Sequence, residues 1–233
     1  MSVRPRMHDP KEIAGRLAAD LVQDGMRVGL GTGSTVHYSI LRLADRIRDE
    51  RLSVRCVPTS LDTETKARAL GIPLVGLDVV EALDLTIDGA DEIDTHFDMI
   101  KGGGGALLRE KVVASITREE VIVVGASKVV ERLGTTFALP VEIVSFARPS
   151  VARALSRFGC EPALRQIEGR PFVTDNGNWI LDCRFPDGIA DAAALEHRID
   201  AIPGVVESGL FVGLAHAVFI GRAEGTCEVR RKS

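Results

Sequence analysis

The chain has 233 residues, 45% of them hydrophobic and 27% charged, with a formal net charge of −4. That length suffices for one large α/β domain, or for one domain plus a small one, and the composition supports a sizeable core and excludes wholesale disorder. Charges of both signs are interspersed and no basic stripe carries interleaved aromatics, so nucleic acid is not the expected partner and a small anion must be held by local donors.

Cys56, Cys160, Cys183 and Cys227 show no CxxC and no metal-ligand spacing, which fits free thiols in a reducing compartment. The opening MSVRPRMHDPKEIAG lacks the apolar stretch of a secretory signal. No run approaches the roughly 20 apolar residues of a membrane span. The expected location is the cytoplasm, with no membrane partner.

In chain order, Asp9 to Glu12 is a helix start: Asp9 caps, Pro10 fits the first position, and Glu12 is placed to reach back. Ile13, Leu17 and Leu21 recur at helical spacing until Gly25. Met26 to Leu30 is a short apolar strand that runs into Gly31-Thr32-Gly33-Ser34-Thr35, and a helix follows to about Arg48. Strand, glycine-rich turn and helix make an anion site, because glycine admits the ligand to the backbone and the first helical amides donate. The string is neither GxGxxG nor a Walker pattern, and a plain turn capped by Ser34 stays possible.

Val54 to Val57 is the next strand, with Thr59 and Ser60 as caps of a helix over Asp62 to Leu70. Strands are expected at Ile72 to Leu77 and at Leu83 to Ile87, the latter closed by Asp88 to Asp91. After a short extended piece, Gly102 to Gly105 precede a helix to about Ile116, and Val121 to Val124 is a fully apolar strand. Strands alternating with helices imply a mostly parallel sheet covered on both faces.

Beyond Ser127 and Lys128 the pattern changes. Strands at Phe137 to Val144 and Glu161 to Ile167 flank a helix at Pro149 to Phe158. Phe172 to Asp182 reads as a hairpin turning on Asn176-Gly177. A helix over Ala190 to Ile202 and a strand over Val205 to Phe211 complete a β-α-β-β-α-β unit, a small α+β domain. Two short strands, Ala217 to Gly221 and Cys227 to Val229, either return to the first domain or extend the second. The basic tail from Arg230 to Lys232 is expected to be solvated.

The chemistry concentrates in Leu83 to Lys111, where Asp88, Asp91, Lys101 and Glu110 stand beside four glycines. Polar groups that end a buried strand in an α/β protein usually lie where ligands bind. Divalent-cation chelation by Asp88, Asp91 and Glu110 has too few oxygen ligands, no Cys/His cluster suggests a metal, and no histidine follows a nucleophile-like serine turn. Proton transfer on a phosphorylated small molecule remains. A desolvated carboxylate can take a proton next to a carbonyl, a lysine can stabilise the oxyanion, and glycine amides can add donors.

Several stretches together resemble one family, ribose-5-phosphate isomerase type A. They are GTGST at 31–35, DGADEI at 88–93, KGGG at 101–104, LREK at 108–111, ASK at 126–128, PVE at 140–142, VTDNGN at 173–178 and IPGV at 202–205, in that order. The resemblance implies a Rossmann-like domain over residues 1–136 and 211–233 and a ferredoxin-like domain over 137–210, in a homodimer or homotetramer. It implies interconversion of D-ribose 5-phosphate and D-ribulose 5-phosphate in the non-oxidative pentose phosphate pathway, through an enediolate and without cofactor or metal. By position Glu110 takes the proton, Lys101 faces the enediolate oxygen, and Asp88 and Asp91 serve hydroxyl positioning and ring opening. Thr32, Gly33, Ser34, Thr35, Gly89, Ala90, Gly102, Gly103 and Gly104 line the substrate site, and Lys128 reaches the phosphate. The loop from Val57 to Thr63 and Gly105 depart from the pattern. Rival readings are a non-catalytic sugar-phosphate sensor, an amino-sugar phosphate deaminase, and a CoA transferase using a glutamate nucleophile.

Overall fold

The computed structural model describes residues 9–232, so the first eight residues of the opening segment read against a secretory signal lie outside the described residues. The first half of the chain alternates strand and helix: α1 (Pro10–Ala19), β1 (Arg27–Leu30), α2 (Val36–Asp49), β2 (Arg55–Pro58), α3 (Leu61–Ala69) and β3 (Leu85–Asp88). Short strands β4 (Glu92–Ile93) and β5 (Met99–Ile100) precede α4 (Leu107–Ser115) and β6 (Glu120–Gly125). The second half holds β7 (Leu139–Ile143), α5 (Arg148–Ser156), β8 (Glu161–Leu164), β9 (Gln166–Ile167), β10 (Arg170–Pro171) and β11 (Trp179–Arg184). It ends with α6 (Ala192–Asp200), β12 (Val205–Ser208), β13 (Leu210–Phe211), β14 (Ala217–Gly221) and β15 (Cys227–Arg231).

The main sheet has the order β15-β14-β6-β3-β1-β2 and is parallel except for β15. The chain leaves β1 for β2 on one side and returns to β3 on the other, so the order reverses between β1 and β3. Ligands bind beyond the carboxyl ends of strands at such a reversal. β1 runs there into Gly31–Thr35 and β3 ends there on Asp88. The strands carry nearly continuous apolar runs because helices cover both faces. Ile40 and Leu43 of α2 pack on one face with Ala14 and Ala18 of α1, while Leu107 and Ala114 of α4 pack on the other with Ile122, Val124 and Phe211.

A second sheet, β12-β7-β11-β8, is fully antiparallel and has its own core, with Val151 and Leu155 of α5 and Leu195 and Ile199 of α6 packed on Val141, Ile143 and Leu181. Its chain order β7-α5-β8-β11-α6-β12 is the expected β-α-β-β-α-β unit.

Three local expectations are corrected. Ile72 to Leu77 makes only one bridge, Leu74 to Cys56, before a 3₁₀ turn at Leu77–Val79; Pro73 has no amide to extend a ladder. The turn at Asn176-Gly177 exists, but only its second arm is a strand. The first arm is drawn away because Thr174, Asn176 and Asn178 side chains all donate to the buried carboxylate of Glu142. Val205 to Phe211 divides at Gly209 into β12, in the small sheet, and β13, paired with β5. The basic tail is solvated as expected, with Arg231 and Lys232 exposed, although Arg230 and Arg231 extend β15 and Arg231 pairs with Glu119.

Candidate active site

Beyond β1 and β3 lies a cavity of about 260 Å³ lined by residues 32–36, 89–91, 101–104 and 123–125, with Lys11, Glu110, Ser127 and Lys128. Every residue expected to bind substrate is on this wall except Asp88. That side chain is 1% exposed and sits behind it. Its Oδ1 accepts the amides of Thr32 (3.0 Å) and Gly89 (2.7 Å), and its Oδ2 lies 3.0 Å from Lys101 Nζ. Gly31 is required for this packing: a Cβ there would stand 2.2 Å from Asp88 Oδ1.

Lys101 follows β5 and is 2% exposed. Its ammonium donates to Gly89 O, pairs with Asp88 and lies 3.7 Å from Glu110 Oε2. Burial alone lowers a lysine pKa, but the carboxylates of Asp88, Glu110 and Glu120 outweigh it and raise Lys101 above its ordinary value, so it stays charged. An ammonium this dry holds an adjacent oxyanion far more strongly than one in water.

Glu110 lies in the first turn of α4, which Ala106 starts without a side-chain cap. Burial pushes its carboxyl up to about 8; Lys101 opposes the shift, and Asp88 and Asp91 add to it. Oε2 finds no hydrogen-bond donor among the described residues. A carboxyl tuned close to neutral pH and facing a cavity is suited to both taking and returning a proton. Asp91 is on the wall as well, and its Oδ2 accepts the Gly103 amide at 2.7 Å, which shapes the glycine loop.

At the other end of the cavity, Gly33 and Ser34 lead into α2, where Thr35 is the N-cap. Among the described residues the amides of Gly33, Ser34, Thr35 and Val36 meet no acceptor, which is the donor arrangement of an anion site. Lys128 is also on the cavity wall and lies over the Phe137 ring at 5.6 Å. Lys11 reaches in from α1 and donates to Ser34 Oγ at 3.0 Å. The sequence places Lys11 only in a helix start, since nothing in Pro10-Lys11 signals that the start of α1 meets the turn before α2. Thr32 turns its hydroxyl away, into a cluster with Thr59 (2.9 Å), Ser60 (2.8 Å) and Thr63 (3.2 Å). Ser60 also caps α3, as expected.

Glu120 was not singled out from sequence. It is fully buried at the start of β6, and neither oxygen has a partner among the described residues. Burial drives its carboxyl well above the usual range, with Asp88 and Glu110 adding and Lys101 opposing. Among the described residues no group of three or more His, Cys, Asp or Glu is arranged to hold a metal ion, and no helix is long and apolar enough to cross a membrane.

The family model described as Ribose 5-phosphate isomerase A (phosphoriboisomerase A) matches residues 55–225. Over 222 residues the chain is 48% identical to the ribose-5-phosphate isomerase A of Bacillus mycoides (strain KBAB4), covering 95% of this chain and 100% of that one. The solved ribose 5-phosphate isomerase A of Methanocaldococcus jannaschii superposes with a TM-score of 0.91 at 42% identity, covering 96% and 99% of the two chains. A D-ribose-5-phosphate isomerase in complex with phospho-erythronic acid superposes with a TM-score of 0.92 at 35% identity, covering 96% and 98%. The chain belongs to the ribose 5-phosphate isomerase A family.

Proposed function

We infer that this protein is an aldose–ketose isomerase that interconverts D-ribose 5-phosphate and D-ribulose 5-phosphate, and that Glu110 is its proton carrier. The observation that carries the reading is the buried pair at one cavity wall, a carboxyl raised to about 8 at 3.7 Å from a charged lysine. Glu110 removes the proton from C2 of the open-chain aldose. Charge develops on the carbonyl oxygen as the enediolate forms, and Lys101 and the glycine-loop amides stabilise it. The C2 hydroxyl proton passes to the O1 oxyanion, C2 becomes the carbonyl as Glu110 delivers its proton to C1, and the ketose leaves Glu110 ionised as it began. The D-ribose-5-phosphate isomerase solved in complex with phospho-erythronic acid holds a phosphorylated sugar acid, which supports a sugar phosphate as the substrate class.

We assign the phosphate to the start of α2, with Lys128 and Lys11, and the sugar hydroxyls to Asp91 and the glycine loop. Asp88, set behind the wall, holds Lys101 and the Thr32 amide and does not meet the sugar. No step requires a metal or cofactor. We also read the chain as two domains, residues 1–136 with 211–233 and residues 137–210. A homodimer or homotetramer fits the large apolar side chains left at the surface, Phe146 at 94% exposure above all. Free cysteines at all four positions fit the cytoplasm.

The test is turnover of ribose 5-phosphate by purified protein with a chelator present. Formation of ribulose 5-phosphate at an undiminished rate is expected. Binding of the sugar phosphate without turnover would favour a sensor, and loss of activity to the chelator would overturn the metal-free route.

A further inference from the structure

Lys111 follows Glu110 on α4, and successive helical side chains point about 100° apart. Glu110 is turned to the cavity. Lys111 is turned to the small sheet, where its Nζ lies 2.8 Å from Glu196 on α6 and 2.7 Å from Glu207 on β12. The same ammonium lies over the ring of Phe211, 5.1 Å from its centroid, and the Lys101 ammonium lies over that ring at 5.4 Å. Phe211 is fully buried, so these contacts are made away from water, where an ammonium over an aromatic face is held most firmly. Neither Lys111 nor Phe211 is on the cavity wall.

The segment 205–211 meets Lys101 at its backbone too. Gly209 O accepts the Lys101 amide at 2.9 Å, and a Cβ at Gly209 would stand 2.4 Å from Lys101 O. The first half of the segment pairs with β7 in the small sheet, and the second half pairs with β5 immediately before Lys101. One segment, β12 and β13 about Gly209, therefore joins the small sheet to the lysine of the site, and Lys111 pins that segment to the helix that carries Glu110.

A lysine ammonium rides on a flexible four-carbon stem, and its position must be imposed by what surrounds it. Asp88 and Gly89 fix it on one side, and Phe211 backs it on another. The rotation of α4 about its axis sets where Glu110 stands, and the double ion pair of Lys111 fixes that rotation. We propose that Lys111 and Phe211 are positioning residues for the isomerisation, setting the relative placement of Lys101 and Glu110 and coupling both to α6 and β12 of the small sheet. This rests on the isomerase reading above.

The experiment compares steady-state isomerisation by wild type, Lys111→Met, Lys111→Arg and Phe211→Leu, each corrected for folded protein by thermal unfolding followed through Trp179 fluorescence. For Lys111→Met, kcat per folded molecule is expected to fall about 10- to 100-fold with KM held within about 3-fold, because sub-ångström misplacement costs rate more than binding. Lys111→Arg, which keeps both ion pairs, restores most of the rate. A kcat for Lys111→Met within about 2-fold of wild type per folded molecule, or a loss matched by an equal rise in KM, would overturn the proposal. Should Lys111→Met fail to fold, Phe211→Leu decides: a kcat about 10-fold lower at unchanged KM supports the coupling, and wild-type kcat removes it. Wild-type protein inactive on ribose 5-phosphate would instead strike the isomerase reading, and this proposal with it.

Discussion

At the residue scale, Glu110 combines two demands that ordinarily conflict. Burial keeps its proton on, and the ammonium 3.7 Å away takes it off. The balance near 8 means the base is ionised in the upper part of the neutral range and is lost by protonation as pH falls. The profile of kcat/KM should therefore rise along a limb centred near 8. The substrate phosphate has its own ionisation near about 6, so a limb there reports substrate and not enzyme. A rate flat down to the ordinary range of a surface glutamate would show that the environment of Glu110 is not as described. The individual chemical residues were legible in the sequence because aspartate, lysine and glutamate have no packing reason to follow a buried apolar strand. Their layers were not. Asp88 and Asp91 look equivalent in DGAD, yet three residues of chain turn one to the wall and bury the other behind it. Glu120 was invisible, since a lone glutamate beside Glu119 ordinarily belongs to solvent.

At the element scale, the site depends on two close approaches that regular elements do not require. β1 and β3 are neighbours in register, and their ends bring residue 31 against the Asp88 carboxylate. Gly31→Ala would put a methyl 2.2 Å from Oδ1, and that carboxylate cannot withdraw, because two amides and Lys101 hold it. The substitution is expected to lower unfolding stability by about 1–3 kcal/mol, the usual cost of forcing atoms into a packed interior, and to lower kcat as well. Denaturant unfolding and steady-state kinetics check it, and wild-type values in both would contradict the packing argument. Periodicity predicted most elements because alternation of apolar strands with amphipathic helices is a local property. It missed where local signals compete. Pro73 interrupts an otherwise apolar run, and the polar side chains of Thr174, Asn176 and Asn178 serve Glu142 in place of a ladder.

At the scale of the whole molecule, long-range polar ties hold the two sheets together. Glu92, one residue after Asp91, accepts the amides of Gly134, Thr136 and Phe137 at the crossing into the small sheet. Arg165 donates to Gly102 O and Gly103 O, linking β8's end to the glycine loop. Lys111 joins α4 to α6 and β12. Such partners are 40 to 100 residues apart in the chain, so composition and spacing carry no trace of them, although the order of motifs did identify the family. These ties make the site the product of both sheets, with the small one bracing what the large one presents. In the proposed reaction a single carboxylate, Glu110, moves the proton between adjacent carbons while the buried ammonium of Lys101 holds the oxyanion. The most direct test is Glu110→Gln, which keeps shape and removes the base. Isomerisation should fall by about 10²-fold or more while the dissociation constant for ribose 5-phosphate, measured by calorimetry, stays near wild type; turnover close to wild type would contradict it.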